Sequence, residues 1–77
     1  MVNMDYKTRI RNLREDNDLT QQEIASILET SQTMYARYER GANEMPIRHI
    51  LKLAKYYDVS TDYLLGLTNK KTVYPKN

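Results

Sequence analysis

A few side chains near the middle of the chain are equipped for recognition chemistry. Gln32 carries an amide that donates and accepts at once, and Arg37 carries a planar guanidinium fork. Such groups make paired hydrogen bonds to the edges of adenine and guanine, and Arg37 can equally pair with a phosphate. Thr20 and Gln21 offer polar groups beside free backbone N–H donors at a helix start, where a phosphate can dock. Catalytic chemistry is much harder to assemble. The 77 residues contain no Cys and one His, His49, so a thiolate zinc site, a thiol nucleophile and a disulfide scaffold are all excluded, and a reducing compartment is the simpler setting. Ser26, Ser31 and Ser60 fall at helix or cap positions, with no phosphate loop and no ligand cluster. The sequence therefore predicts no enzyme, no metal site and no cofactor. His49 is expected as a partly exposed surface residue.

Size points the same way. A chain of 77 residues forms one domain that buries roughly 60% of its unfolded surface, which leaves no room for a deep substrate cavity. Without staples it needs densely packed helices or oligomerisation. With only two Gly and two Pro there is too little turn chemistry for a many-stranded sheet. No stretch approaches the roughly 18 apolar residues of a membrane span, and the first residues have no apolar signal-like run. A cytoplasmic protein with no membrane partner and no small-molecule ligand is expected.

The net charge of +2 is uninformative until it is divided along the chain. Residues 1–29 sum to −2, residues 30–57 to +3 and residues 58–77 to +1. The excess lies at Arg37, Arg40, Arg48, Lys52 and Lys55, so an anionic partner would meet the central segment.

Five helices are needed to position these groups. Tyr6, Ile10 and Leu13, with Lys7, Arg9, Arg11 and Asn12 as the polar residues between them, mark an amphipathic helix over residues 6–17 with Asp5 as its N-cap. Thr20-Gln21-Gln22-Glu23 is a capping-box pattern opening a second helix through Leu28. Thr30 and Ser31 cap a third helix, Gln32 to Arg40, closed by Gly41. Pro46 suits the first turn of a fourth, with Ile47, Ile50, Leu51, Leu53, Ala54 and Tyr57 as its apolar side and Asp58 as its stop. Ser60 caps a last helix, Thr61 to Leu65, ended by Gly66. Residues 1–67 form the expected domain, and residues 68–77 a tail that is either mobile or a partner arm. The connection between the second and third helices is so short that they must cross sharply, in helix-turn-helix geometry.

On a helical wheel, Ser31, Tyr38 and Glu39 lie within about 60° of Tyr35, whereas Ala36, Arg40, Thr33 and Arg37 lie about 100° to 200° away. The second group is a stripe of small, hydrogen-bonding and cationic side chains, with Gln32 beside it. Such a stripe can enter a groove.

Leu19-Thr20-Gln21-Gln22-Glu23-Ile24-Ala25, Ser31 through Gly41, Pro46, Leu53-Ala54-Lys55 and Val59-Ser60-Thr61-Asp62-Tyr63-Leu64-Leu65 together resemble the XRE, or phage Cro and cI repressor, family over about residues 6–66. The resemblance implies an all-α domain of five helices that reads operator double-stranded DNA with its third helix in the major groove, usually as a homodimer on a pseudo-palindromic site. It carries base reading onto Gln32, Thr33 and Arg37, with Ala36 close to the bases. Phosphate contacts fall on Gln21, on Arg40 and on the stretch from Asn43 to Arg48, with Thr20 added by its place at the second helix start. It also implies a structural ion pair between Arg14 and Glu39. Three positions depart from the pattern. Glu29 and Asp58 stand where Gly is frequent, which for Glu29 implies a strained positive φ and a turn open to distortion. Glu44 puts a negative charge into the loop expected to approach phosphate, leaving Arg48 to dominate there.

The alternative to a transcriptional repressor is a helical protein-interaction module, or an antitoxin-type regulator of a toxin partner. The abundance of Tyr suits interfaces, but most have core positions, with Tyr56 and Tyr74 expected outside. Leu64, Leu65, Leu67, Val73 and Tyr74 are the apolar candidates for a dimer contact.

Overall fold

The computed structural model describes residues 5–71. Its elements are α1 (Tyr6–Asp16), α2 (Gln21–Leu28), α3 (Gln32–Arg40), α4 (Ile47–Tyr57) and α5 (Thr61–Leu64). No strand occurs among the described residues, and none of the helices is long and apolar enough to cross a membrane.

Local sequence chemistry opens each helix. The Asp5 carboxylate accepts from Lys7 N at 3.4 Å, and the Ser31 and Ser60 hydroxyls accept from Met34 N and Tyr63 N at 3.1 and 3.0 Å. Thr20 and Glu23 complete the capping box in both directions: Thr20 Oγ1 accepts from Glu23 N at 3.1 Å, and Glu23 Oε1 accepts from Thr20 N at 2.8 Å. Pro46 differs from expectation. It is the residue before α4 rather than part of the first turn, with ψ 151°, and its carbonyl accepts from His49 N and Ile50 N to start the helix.

One device ends all five helices. A residue with positive φ follows the last turn, and the next N–H reaches back five residues, as in a Schellman motif. The bonds run from Leu19, Thr30, Ala42, Val59 and Leu67 N to Arg14, Ala25, Arg37, Ala54 and Asp62 O, all at 2.9–3.0 Å. The left-handed residues are Asp18, Glu29, Gly41, Asp58 and Gly66. α1 and α5 accordingly each stop one residue earlier than expected. The Glu29 turn is strained in φ, at 59°, but its hydrogen bonds are intact, so it is not distorted.

The core is built from Ile10 and Leu13 of α1, Ile24, Ala25 and Leu28 of α2, Tyr35 and Tyr38 of α3, Met45, Leu53 and Ala54 around α4, then Val59 and Leu64. α2 packs most extensively on α3, with α1 across α3 and α5, and α4 against α2 and α5. The Tyr6 hydroxyl accepts from Met45 N at 3.3 Å and so ties the loop before α4 to α1.

Three placements correct the sequence-based expectation. His49 is buried rather than surface-exposed, its ring edge-on to Tyr38 with centroids 5.8 Å apart. Ile47 and Leu51, expected on the apolar side of α4, are 73% and 55% exposed. Six apolar residues in this helix cover more of its circumference than α2 and α5 can reach. Arg9 is buried on α1, its guanidinium 3.8 Å from the Tyr63 ring centroid and donating to Thr68 O and Asn69 Oδ1. Residues 68–71 thus lie back on the domain, with Lys71 O accepting from Ser60 N at 3.1 Å. The remainder of the expected tail, including Val73 and Tyr74, lies outside the described residues.

Candidate nucleic-acid interface

α3 presents its expected stripe because its opposite side is locked inward. Tyr35 is fully buried and Tyr38 nearly so, with Met34 partly buried beside them. The 100° step per residue then turns Gln32, Thr33, Arg37 and Arg40 outward, all exposed, with Ala36 half-buried among them. Glu29 to Ser31 set the angle between α2 and α3. Ser31 caps α3, so Gln32 and Thr33 occupy the helix's first turn, where backbone N–H groups are free.

A hydrogen-bonded relay runs from that first turn into the core. Gln32 Nε2 donates to Gln21 Oε1 at 2.9 Å, Gln21 Nε2 donates to Glu39 Oε1 at 3.1 Å, and Arg14 donates to both Glu39 oxygens from Nε and Nη2, at 2.7 and 3.1 Å. Because a carboxylate only accepts, Glu39 dictates which end of the Gln21 amide faces it, and Gln21 in turn dictates the Gln32 orientation. Gln32 keeps its oxygen and one N–H for an outside partner, the two groups that a bidentate contact to adenine uses. Arg14 and Glu39, expected as a pair, are brought together as such, and Arg14 Nη1 also donates to Leu19 O at 3.0 Å. Burial alone favours a neutral Glu39, but the hydrogen bonds from Arg14 and Gln21, the charge of Arg14 and the adjacent Tyr35 hydroxyl hold its pKa below the ordinary value. That Tyr35 hydroxyl is buried and has no hydrogen bond of good geometry itself.

The other expected contact residues surround the stripe. Thr20 and Gln21 stand at the start of α2, Thr20 exposed and Gln21 half-buried. Asn43, in the loop after α3, accepts from Arg37 Nε through Oδ1 at 2.7 Å. Arg48, on the first turn of α4, is exposed and lines a cleft of about 470 Å³ with Thr30, Met34, His49, Lys52 and Glu29. The basic start of α4 therefore faces the beginning of α3. Glu44 is exposed in the loop between them, so a negative charge does interrupt this border. Lys52 donates to Glu29 Oε2 at 3.4 Å on the surface. Burial first, and then the charges of Arg48 and Lys52, hold the His49 pKa below its ordinary value, so the cleft's imidazole is neutral near pH 7.

Besides the relay from Gln32 through Gln21 to Glu39, two features escaped sequence reasoning. The Arg37–Asn43 contact depends on the loop after Gly41 folding back, which no periodicity reports. His49 lies four residues before Leu53, hence on the same helix row, and that spacing was the available signal for its burial. Among the described residues no group of three His, Cys, Asp or Glu side chains is placed to hold a metal ion.

Comparison with known proteins agrees with this fold. A helix-turn-helix family profile matches residues 10–64. The chain is 38% identical over 64 residues to YobD of Bacillus subtilis, described as an uncharacterized HTH-type transcriptional regulator, covering 83% of this chain and 57% of that protein. It is 35% identical over 54 residues to RstR of Vibrio cholerae, a cryptic phage CTXphi transcriptional repressor, covering 70% of this chain and 49% of that one. The chain thus spans about half the length of the curated relatives it matches. Among solved structures, the DNA-binding domain of the P22 c2 repressor superposes with a TM-score of 0.75 at 26% identity, over 96% of this chain and 100% of that domain. The profile takes in most of the chain and nearly all of the five helices, and the chain belongs to the helix-turn-helix family of the XRE and phage-repressor type.

Proposed function

We propose that this domain is a sequence-specific DNA-binding transcriptional regulator, a repressor, that seats α3 in the major groove of operator DNA. The observation that carries the reading is the exposed row of Gln32, Thr33, Ala36 and Arg37 on a helix whose other side is anchored by Tyr35 and Tyr38. An amide and a guanidinium with free hydrogen-bonding edges, separated by small side chains, match the donor and acceptor pattern of base edges. Gln32, Thr33, Ala36 and Arg37 face the bases in this reading. Thr20, Gln21, Arg40 and Arg48 meet the phosphates, which orient the domain without reading sequence, whereas Asn43, expected with them, turns its side-chain oxygen to Arg37 Nε and is assigned to that residue instead. The repressor function named for RstR and the DNA-binding role named for the P22 c2 domain support the assignment.

The operator is pseudo-palindromic and the protein a homodimer, because one α3 reads only a few base pairs and two-fold sites need two copies. Leu64 is 1% exposed and seals the monomer core, which leaves Leu65 and Leu67, the latter 69% exposed, as described candidates for the dimer contact. The domain of residues 1–67, against which residues 68–71 fold back, works in the cytoplasm and needs no cofactor or small-molecule ligand.

Selection from a random duplex pool followed by anisotropy titration tests the reading. A recurrent half-site in two copies is the expected result. Each cationic phosphate contact contributes about −0.9 to the slope of log K against log salt, so Arg40 and Arg48 alone give roughly −2 per half-site. No enriched sequence, or an affinity indifferent to salt, overturns it.

A further inference from the structure

The turn that follows α3 brings a loop residue onto a base-reading side chain. Gly41, with φ +79°, reverses the chain, and the space where its Cβ would stand is taken by Lys7, whose Cδ lies 2.6 Å away. After that reversal the Arg37 carbonyl accepts from Ala42 N at 2.9 Å and from Asn43 N at 3.4 Å. Asn43 is therefore held by its backbone against the residue six positions before it, and its Oδ1 receives Arg37 Nε at 2.7 Å. The two residues are joined through main chain and side chain together.

We propose that Asn43 is a specificity-determining positioning residue that orients Arg37, so that the terminal Nη1/Nη2 fork, and not the Nε edge, is offered to a base edge in the major groove. The proposal rests on the reading of α3 as the DNA-contacting helix and adds to it how one of its readers is aimed. A guanidinium has five N–H donors in a fixed plane. With Nε committed to Asn43, the Nη groups at the tip of the side chain are left for a bidentate partner such as guanine O6 and N7. A free Arg side chain has several rotatable bonds, and freezing them on binding weakens the complex. Asn43 restricts them before DNA arrives. Its amide is also neutral, so it orients the cation without cancelling the charge or repelling phosphate, which the carboxylate of neighbouring Glu44 would do in that place. In this account the Asn43 side chain acts through Arg37 and makes no sequence-independent backbone contact of its own.

The test uses the selected duplex, a variant changed at the base pair that Arg37→Ala makes indifferent, and an unselected duplex, with thermal melting of each protein in parallel. Asn43→Ala is expected to lower the ratio of affinities for the selected and variant duplexes about 2- to 10-fold, the range of one long side chain's ordering cost. It leaves binding to the unselected duplex and the melting temperature unchanged, and adds nothing in the Arg37→Ala background. Asn43→Asp, which keeps the acceptor, is expected to retain the ratio while binding all three duplexes more weakly. Equal weakening on all three duplexes by Asn43→Ala, an effect that persists without Arg37, or loss of the ratio in Asn43→Asp overturns the proposal. So does an Arg37→Ala protein whose preferences are those of the wild type. A wild-type protein that selects no sequence is a different failure, that of the DNA-reading assignment itself.

Discussion

Arg14 grips both oxygens of Glu39, Oε2 from Nε at 2.7 Å and Oε1 from Nη2 at 3.1 Å, with the two side chains 14% and 5% exposed. The pair joins α1 to the last turn of α3. Glu39 Oε1 also receives Gln21, so a single oxygen is shared between the interior ion pair and the relay to Gln32. Removing one partner strands a buried charge. Arg14→Met or Glu39→Ala is expected to cost on the order of 3 kcal/mol in a denaturant titration, and the double substitution less than the sum. A loss below about 1 kcal/mol for either single change contradicts this.

Acid should destabilise the fold in two stages. Burial, followed by the charges of Arg48 and Lys52, depresses the His49 pKa below 6.5. As the pH falls below 6.5 the unfolded chain takes up a proton that the folded chain refuses, so stability declines until the folded imidazole itself titrates. Glu39 is the second stage. Its folded pKa is depressed below 4.5 by Arg14 and Gln21 against the opposing effect of burial, so its contribution is complete above 4.5 and is lost as the pH drops through the folded value. His49→Gln is expected to flatten the decline that begins as the pH falls through 6.5, and Glu39→Gln the one that begins as it falls through 4.5. Unfolding free energies measured across pH decide both, and an unchanged upper slope in His49→Gln refutes the first.

Reading and holding should separate by residue. Arg37→Ala is expected to cost about 1–3 kcal/mol on the selected operator and to relax preference at one base pair, whereas Arg48→Ala weakens every duplex alike and reduces the salt slope by about 1. Titrations on selected and unselected duplexes at several salt concentrations distinguish the two. Indistinguishable behaviour of the two mutants removes the division of roles.

Stability remains to be gained at the helix ends. Of the five left-handed residues that close the helices, Asp18, Glu29 and Asp58 are not Gly. Asp tolerates that backbone better than Glu does, so the main cost is at Glu29, with φ 59° and ψ 42°. Glu29→Gly gives up only an exposed 3.4 Å contact with Lys52 and is expected to stabilise by about 1 kcal/mol. For a domain of this size that raises the melting temperature by roughly 4–8 °C. A lower melting temperature would show that the Lys52 contact outweighs the strain.

What could be read ahead of the structure was whatever local chemistry determines. The capping box at Thr20, the serine caps and the outward row from Gln32 to Arg37 follow from neighbours within one or two turns, the left-handed Glu29 from the family resemblance, and they are where expected. What escaped depends on distant partners. Arg9 looks like a polar-face residue until Tyr63 and residues 68–69, some sixty positions on, close over it. His49 looks solvated until Tyr38 covers it, and Ile47 and Leu51 look like core until the small bundle leaves nothing opposite them. The Arg37–Asn43 contact belongs to the same class, since loop conformation carries no hydrophobic period.

The relay from Gln32 through Gln21 to Glu39 and Arg14 also bears on how such a reader can diverge. Among the described residues Thr33 and Ala36 make no side-chain hydrogen bond, whereas Gln32 and Arg37 are each tied to a second residue. A substitution at Thr33 or Ala36 leaves the inherited scaffold undisturbed and alters the face alone. At Gln32 or Arg37 a change also leaves a partner behind, so a lineage that switches operators there must alter two codons together or pass through a handicapped ancestor. Divergence among paralogues should therefore begin at residues 33 and 36.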